Sequence, residues 1–252
     1  MILTIITVCL NSEALIENTI RSVTSQDYPH IQYIIIDGGS TDGTRDIVQK
    51  YRSKIAFFIS EKDNGIYDAM NKGLAHVTGD LVYFLNSGDY LADDGVISEV
   101  IRDIEQFPDY GIYTGDVMYY DETGAERLSG DRKTTPDVMA RVINHQSIIA
   151  RKEVFDTFGG FDTRYRIYAD YDWLLRAVLN FDVQIKYTGI PFAYYLKAGK
   201  SDRMWKKYLP ERREILRKYA TPGLMVKYLL HYPGDGLLYV INRFKGIFIR
   251  DS

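Results

Sequence analysis

The polar side chains best suited to chemistry in the N-terminal half follow four short apolar runs, at the point where each run ends. They are Thr7 and Asn11 after the first run, Asp37 after the second, Asp63 after the third, and Asn86, Ser87 and Asp89 after the fourth. Hydroxyl, amide and carboxylate groups at strand ends can hydrogen-bond a nucleotide or a sugar. Turns also favour Asn, Asp and Gly, but four such ends in succession favour a polar binding site.

Asp89 is the strand-end carboxylate best suited to bind a metal. It closes the segment Asn86–Asp89, and Mg²⁺ and Mn²⁺ take oxygen ligands that they share with substrate phosphates. The same segment also suits a turn with Gly88 and Asp89 at its tip. The sequence therefore leaves a metal site and a plain turn both open at this position.

A further cluster of polar and aromatic residues, Tyr168–Arg176, begins a predicted helix. Asp170 lies in the first turn of that helix, where a carboxylate stabilises the helix dipole. Aromatic residues flank Asp170, and a carboxylate in such surroundings is also a candidate general base. Asp172 and Arg176 have the i,i+4 spacing of a helical ion pair.

Composition and motifs exclude several classes of protein. The 252 residues carry a net charge of −3, which argues against a nucleic-acid partner held by general positive charge. The single cysteine, Cys9, excludes an internal disulfide and a cysteine-cluster metal site. The glycines of Gly38–Gly43 are too close together for a dinucleotide fingerprint, and no phosphate-loop motif follows, which disfavours nicotinamide enzymes and phosphate-loop ATPases.

Alternating strands and helices must position these residues. The pattern predicts a mostly parallel sheet with helices on both faces, and Ser12 is a possible cap of the first helix. Predicted strands are Leu3–Leu10, Ile31–Asp37, Ile55–Ser60, Leu81–Leu85, Gly111–Tyr120, Ser147–Ala150, Val183–Thr188 and Phe192–Leu196. Predicted helices are Leu15–Val23, Asp46–Tyr51, Ile66–Val77, Val96–Ile104 and Asp170–Leu179, with a further helical stretch after Ser201.

The C-terminal part is basic and divides the chain into a predicted domain, 1–200, and a helical extension, 201–252. Lys200–Ser252 carries 12 Lys/Arg against 5 Asp/Glu, whereas the whole chain carries 31 against 34. Basic helices with apolar faces suit an anionic membrane surface; packing on the body or homodimerisation explains them equally well. With no recognisable export signal or membrane span, we expect a cytoplasmic protein, which would be peripheral at the inner face of the cell membrane if the extension binds lipid.

Six segments in order resemble the family 2 glycosyltransferases, which have the GT-A fold. They are Ile6–Asn11, Ile34–Thr44, Glu61–Gly73, Gly79–Asp89, Asn144–Asp162 and Ala169–Arg176. The match that they mark runs from about Leu3 to Arg176, some two thirds of the chain. The similarity is greatest to the branch that decorates bacterial exopolysaccharides and cell-surface polymers, so it implies a glycosyltransferase of that kind.

The resemblance assigns donor-binding roles to matching positions. Thr7 and Asp37 would contact the nucleoside, most often uridine, and Asn71 and Lys72 would line the donor pocket. The other polar strand ends, Asn11, Asp63, Asn86 and Ser87, would complete the donor site. The implied partners are a nucleotide-sugar donor and a glycan or lipid-linked acceptor.

The resemblance also assigns the catalytic groups. Asp89, with Asn86, would lie where the family binds Mg²⁺ or Mn²⁺ on the diphosphate. The family commonly has Asp-x-Asp-Asp there, so this chain keeps one carboxylate of that motif. Asp170 falls at the position of the catalytic base, which implies a single inverting displacement. His145 and Arg176 would lie near the diphosphate or the acceptor; a lone histidine is equally often a hydrogen-bonded structural residue.

Two alternatives to this transferase have different sequence support. A catalytically inactive nucleotide-sugar-binding scaffold of a polysaccharide assembly complex would explain Asn86 and Gly88 in place of carboxylates, whereas the retained Asp170 argues against it. A nucleotidyltransferase would need a basic, glycine-rich triphosphate loop near the N-terminus, and Val8–Glu13 does not supply one.

Overall fold

The N-terminal half alternates strands and helices as the apolar pattern predicts. The computed structural model describes residues 1–120, 124, 127–128, 144–196 and 206–219. Strands β1 (Leu3–Cys9), β2 (Ile31–Asp37), β3 (Phe57–Ser60) and β4 (Leu81–Phe84) are joined through helices α1 (Ile16–Thr24), α2 (Thr44–Lys50) and α3 (Ile66–Leu74). All three strand pairings here are parallel, in the order β3-β2-β1-β4. The carboxyl ends of these strands therefore lie at one edge of the sheet.

The second half adds antiparallel strands to the same sheet. Its elements are β5 (Tyr90–Leu91), α4 (Val96–Gln106), β6 (Ile112–Tyr120), β7 (Arg127–Leu128), β8 (Ile148–Arg151), α5 (Lys152–Phe158), α6 (Ala169–Leu175), β9 (Ile185–Leu196) and α7 (Leu209–Tyr219). β8 lies antiparallel between β4 and β6, and β9 lies parallel to β6. The full order is β3-β2-β1-β4-β8-β6-β9-β5, with β7 beside β6. The predicted α/β class is confirmed.

Two apolar layers cover the two faces of this sheet. Strand β1 is buried throughout, and alternate residues point to opposite layers, with Ile6 in one and Ile5 in the other. The first layer includes residues of α3, α5, α6 and α7, and the second includes residues of α1, α2 and α4. Helices therefore pack on both faces, as the alternation of elements predicts.

Helix α7 lies within the predicted extension 201–252 and packs on the body. Its residues Ile215, Leu216 and Tyr219 are buried in the first apolar layer. Lys218 Nζ lies 2.9 Å from Asp172 Oδ1. Asp172 therefore pairs with α7, and the predicted ion pair with Arg176 is wrong. Within the described ranges, no helix is both long and apolar enough to cross a bilayer.

Three local predictions differ from the structure. Ser12 does not cap α1 through its side chain: its backbone carbonyl accepts from the Ile16 amide (2.9 Å), and its hydroxyl bonds Ser87. The last two predicted strands form one strand, β9, because β9 pairs with β6 on both sides of a register shift at Asp116. Helix α6 ends at Leu175 and continues as a π-helical turn over Arg176–Asn180.

Candidate active site

A cavity of about 590 Å³ lies at the carboxyl ends of the parallel strands. Its walls come from the ends of β1 and β4, the start of α3, and the segments that precede β8 and α6. Seven predicted site residues line it: Asn11, Asp63, Asn86, Ser87, Asp89, His145 and Asp170. The structure thus brings the polar strand ends together with the carboxylate predicted to act as a base.

Asp89 and Asp170 open onto the same cavity although 81 positions separate them. Both are buried, with 5% and 8% of their surfaces exposed. Asp89 Oδ2 accepts from Gln146 Nε2 (2.7 Å), and its Oδ1 accepts from the Leu196 amide (3.3 Å). These bonds fix the Asp89 carboxylate on the wall that carries the Asn86–Asp89 loop.

The two oxygens of Asp170 have different partners. Oδ1 accepts from the Tyr171 amide (2.8 Å) and from the Tyr67 hydroxyl (3.0 Å), while Oδ2 lies 3.4 Å from His145 Nδ1. Burial, followed by the charge of Asp170, raises the pKa of Tyr67 well above its ordinary value, so this phenol remains a donor. Oδ1 is therefore the more fully bonded oxygen, and Oδ2 is the one with room to take a proton.

The loop between Asn86 and Asp89 is both a turn and a wall of the cavity. The Asp89 amide donates to the Asn86 carbonyl (3.0 Å), and Gly88 adopts a φ of +97° that favours glycine. Asn86 Nδ2 lies 2.7 Å from His145 Nε2. The turn interpretation is therefore confirmed, and the turn places Asn86 and Asp89 on the cavity wall.

Thr7 and Asp37 lie outside the lining of this cavity, and their predicted contact with a nucleoside stays a prediction. Thr7 is fully buried, and its hydroxyl donates to the Leu85 carbonyl at 2.7 Å. Asp37 is also fully buried and accepts from the Ser40 amide (3.0 Å) and the Ser60 hydroxyl (2.5 Å). The loop that follows β2 folds back over Asp37, and the carboxylate oxygens of Asp37 bind that loop.

Asn71, Lys72 and Arg176 also lie outside the lining of this cavity, and their predicted roles stay predictions. The Asn71 amide exchanges two 2.8 Å hydrogen bonds with the backbone of Phe161, which ties α3 to the segment after α5. Lys72 Nζ pairs with Glu61 at 2.8 Å. The Arg176 guanidinium donates to the Gly160 carbonyl. Each of these three side chains is therefore engaged by a neighbouring segment of the chain.

Sequence reasoning missed several residues of the lining, and four of them bear on the chemistry of the cavity. Cys9 lies on the same face of β1 as Thr7 and two positions nearer the strand end, and Gln146 is adjacent to His145. Tyr67 and Arg166 complete the set, and Arg166 is the single Lys or Arg on the wall within the described ranges. Strand-end position could have identified Cys9, whereas a contact made across 103 positions, such as Tyr67 to Asp170, leaves no local signal.

The oxygen donors at this site fit one divalent ion shared with a substrate. Within the described ranges, no three His, Cys, Asp or Glu side chains are grouped to hold a metal. Asp89 supplies one carboxylate, and the nearby Asn86 Oδ1 is a buried oxygen without a hydrogen-bond partner. Mg²⁺ is commonly held by one or two carboxylates together with substrate phosphates. Asp89 and Asn86 therefore suit an ion that completes its coordination from a diphosphate.

An open α/β sheet with a polar cavity at its strand ends is typical of proteins that bind a ligand at that edge. The family model for glycosyl transferase family 2 matches residues 4–165. This chain belongs to glycosyl transferase family 2 and is a glycosyltransferase. An uncharacterized glycosyltransferase of Mycobacterium tuberculosis is 32% identical over 185 residues, which cover 69% of this chain and 68% of that protein.

Further comparisons agree with the family and with the fold. A PGL/p-HBAD biosynthesis glycosyltransferase of Mycobacterium bovis is 29% identical over 193 residues, 75% of each chain. S. aureus TarS 1-349 in complex with UDP-GlcNAc has a TM-score of 0.74 at 20% identity. The match covers 100% of this chain and 74% of the TarS chain. The mannosyltransferase PcManGT from Pyrobaculum calidifontis, in complex with GDP-Man and Mn²⁺, has a TM-score of 0.68 at 16% identity, covering 99% and 76%. The GT-A fold implied by the resemblance is confirmed.

Proposed function

We propose that this glycosyltransferase moves a sugar from a nucleoside-diphosphate donor, most simply a UDP-sugar, to a hydroxyl of a glycan or lipid-linked acceptor, with inversion at the anomeric carbon. The observation that carries the proposal is the placement of Asp89 and Asp170 on one cavity. Asp89 suits the binding of a metal ion on the diphosphate leaving group, and Asp170 suits removal of the proton from the acceptor hydroxyl.

Asp89 and the loop that carries it form the donor side of the cavity. A divalent ion held by Asp89 and Asn86 would stabilise the negative charge that develops on the departing diphosphate. Arg166 supplies the positive charge of the described lining, and its guanidinium suits a phosphate oxygen. Asn11, Asp63 and Ser87 offer polar groups to the rest of the donor.

Asp170 is the proposed general base. A sugar hydroxyl has a pKa far above neutrality, so its oxygen attacks the anomeric carbon more readily as a carboxylate removes the proton. In the proposed step, the acceptor oxygen forms the new glycosidic bond, the bond between carbon and diphosphate breaks, and Asp170 Oδ2 takes the proton. A single displacement of this kind inverts the configuration.

The donor and the product class are proposals supported by similar proteins. TarS is described with UDP-GlcNAc and PcManGT with GDP-Man and Mn²⁺, and one relative acts in PGL/p-HBAD biosynthesis. These proteins support a nucleotide-sugar donor and a role in making cell-surface glycans. Uridine is the simplest choice for the nucleoside of the donor.

We also propose that the basic C-terminal extension brings the enzyme to an anionic membrane surface, where a lipid-linked acceptor would be presented. The excess of Lys and Arg in Lys200–Ser252 supports this proposal. Helix α7 uses its apolar residues to pack on the body, so membrane contact would have to come from elsewhere in the extension. Sedimentation with liposomes should show binding that requires anionic lipid; equal binding with neutral lipid, or none, would contradict it.

Nucleotide release tests the proposed reaction. A panel of nucleotide sugars is first screened by thermal shift, because a bound donor raises the melting temperature. The donors that bind are then incubated with Mg²⁺ or Mn²⁺, and released nucleoside diphosphate is measured. We expect release from at least one UDP-sugar and a product of inverted configuration. Binding without any release would support the inactive scaffold, and a retained configuration would contradict the single displacement.

A further inference from the structure

One short turn contacts both Asp89 and Asp170. His145, Gln146 and Ser147 form a 3₁₀ turn just before β8. Gln146 Nε2 donates to Asp89 Oδ2 at 2.7 Å, and His145 Nδ1 lies 3.4 Å from Asp170 Oδ2. Adjacent residues of the turn therefore reach the donor side and the acceptor side of the cavity.

The turn itself is firmly held. Gln146 and Ser147 are 3% and 4% exposed. The Tyr83 hydroxyl donates to the Gln146 carbonyl (2.7 Å), and the Ser147 hydroxyl donates to the Asn144 carbonyl (2.8 Å). A buried turn with satisfied polar groups has little freedom to move, so it can fix the positions of the side chains that it carries.

The partners of His145 select one form of its ring. An ionised carboxylate only accepts hydrogen bonds, so Asp170 requires a proton on the nearby Nδ1. In a neutral imidazole, Nε2 is then an acceptor, and the amide of Asn86, whose Nδ2 lies 2.7 Å away, can donate to it. The opposite tautomer would set the Nδ1 lone pair against the carboxylate.

We propose that His145 is a positioning residue: held as the Nδ1–H tautomer by Asn86, it orients Asp170, while Gln146 fixes Asp89 from the same turn. The role of Asp170 as base rests on the proposed function, but the tautomer does not. Both ring nitrogens of His145 are engaged by protein groups, so His145 does not itself bind the metal or take the acceptor proton.

The tautomer can be measured without a substrate. The chain has four histidines, so nitrogen NMR of protein labelled at histidine gives few signals, and the signal of His145 is assigned by its loss in His145→Gln. We expect Nδ1 to carry the proton in the wild type. We expect Asn86→Ala to shift His145 towards the Nε2–H tautomer, which free histidine prefers. The exposed His30 is the internal control. An Nε2–H tautomer in the wild type would overturn the proposal.

Kinetics test the positioning role once a donor has been identified. His145→Phe should lower kcat about 100-fold, because misplacing a reacting group has losses of that order, and donor KM should change less than about twofold. His145→Gln keeps an amide donor next to Asp170 and should restore at least part of kcat. The matched control is His30→Phe, at an exposed site.

These two experiments separate failure of the positioning role from failure of the proposed reaction. An unchanged kcat in His145→Phe would overturn the positioning role, and so would an equal loss of kcat in both His145 variants. If Asp170→Asn keeps full turnover while the Nδ1–H tautomer is observed, the proposed base is wrong and the ring geometry still stands. The wild-type tautomer remains a test even if His145→Phe or Asn86→Ala fails to fold.

Discussion

Asp89 and Asp170 differ in what holds them, and that difference suits two separate tasks. Asp89 is bonded at one oxygen by a side-chain amide and at the other by a backbone amide. Asp170 Oδ1 accepts from the Tyr171 amide and shares the Tyr67 hydroxyl with the Ile167 carbonyl, whereas within the described ranges Oδ2 lies near His145 alone. A fixed carboxylate suits charge stabilisation, and one with a less engaged oxygen suits proton transfer.

Replacement of Asp89 by Ala should weaken donor binding when a metal is present. The substitution removes the carboxylate that we assign to the ion, so the enhancement of UDP affinity by Mn²⁺ should fall about tenfold or more. Isothermal calorimetry with and without Mn²⁺ measures this change. Asp109→Asn, at an exposed carboxylate that precedes β6 at the opposite edge of the sheet, is the control. An unchanged metal effect in Asp89→Ala would show that other residues bind the ion.

Cys9 should be unreactive in the folded protein although it borders the cavity. Burial, followed by the nearby charge of Asp37, raises the pKa of the Cys9 thiol far above its ordinary value, and the thiolate is the reactive species. Since Cys9 is the single cysteine, a colorimetric thiol reagent reports on it alone. We expect slow labelling at about pH 8 and fast labelling in urea. Fast labelling of the native protein would contradict this burial.

At the scale of elements, helix α7 supports the segment that carries the proposed base. Glu211 on α7 accepts the backbone amides of Arg166 (2.9 Å) and Ile167 (3.1 Å). The Ile167 carbonyl in turn accepts from the Tyr67 hydroxyl (2.6 Å), which also bonds Asp170. The described part of the C-terminal extension is therefore connected to the active site through hydrogen bonds.

Glu211→Ala should therefore reduce transfer more than it reduces stability. Losing these two hydrogen bonds should lower the free energy of unfolding by about 1–2 kcal/mol, measured by urea denaturation, while kcat falls about tenfold because the base is less well placed. Glu214→Ala is the matched control on the same helix, since its side chain reaches the Tyr165 hydroxyl instead of a backbone amide. Equal effects of both variants on kcat would contradict the support role of Glu211.

Hydrophobic patterning predicted most elements because burial repeats regularly along them. The strands around Ile6 and Ile34 and the helix around Val100 follow directly from alternating or i,i+4 apolar residues. Strand β9 was harder, because its two halves are joined across a register shift that depends on its partner, β6. Periodicity within a strand contains no information about the partner strand.

The cavity was predicted less completely than the fold. Position at a strand end found Asn86 and Asp89, because parallel strands bring their carboxyl ends together. It could not show that the loop after Asp37 folds back and buries the carboxylate, because that depends on contacts with Ser40 and Ser60. Resemblance placed Asn71 in the donor pocket, but its amide bonds Phe161, a contact between distant parts of the chain.

At the scale of the whole molecule, buried tyrosines should make the fold sensitive to alkali. Burial raises the pKa of Tyr33, Tyr67 and Tyr83 above the ordinary value. These groups stay protonated in the folded state but ionise near pH 10 when unfolded, so their stabilisation is complete below about pH 10 and is lost as pH rises further.

Three such tyrosines should lower the free energy of unfolding by about 4 kcal/mol per pH unit above pH 10. Urea denaturation at a series of pH values measures this slope, and tyrosinate absorbance should rise sharply as the protein unfolds. Tyr33→Phe should make the slope shallower by about 1.4 kcal/mol per pH unit, the contribution of one tyrosine. A stability that does not change between about pH 10 and pH 11 would contradict the burial of these hydroxyls.

The central claim is that Asp170 removes the acceptor proton at a site where Asp89 serves the donor. It is tested most directly by the rate of sugar transfer in Asp170→Asn, with donor affinity measured on the same protein. We predict that transfer falls about 10²–10⁴-fold, the usual contribution of a general base, while the Kd of the donor changes less than about threefold and Asp109→Asn behaves as wild type. Turnover retained in Asp170→Asn, or a loss explained by weaker donor binding, would contradict the account.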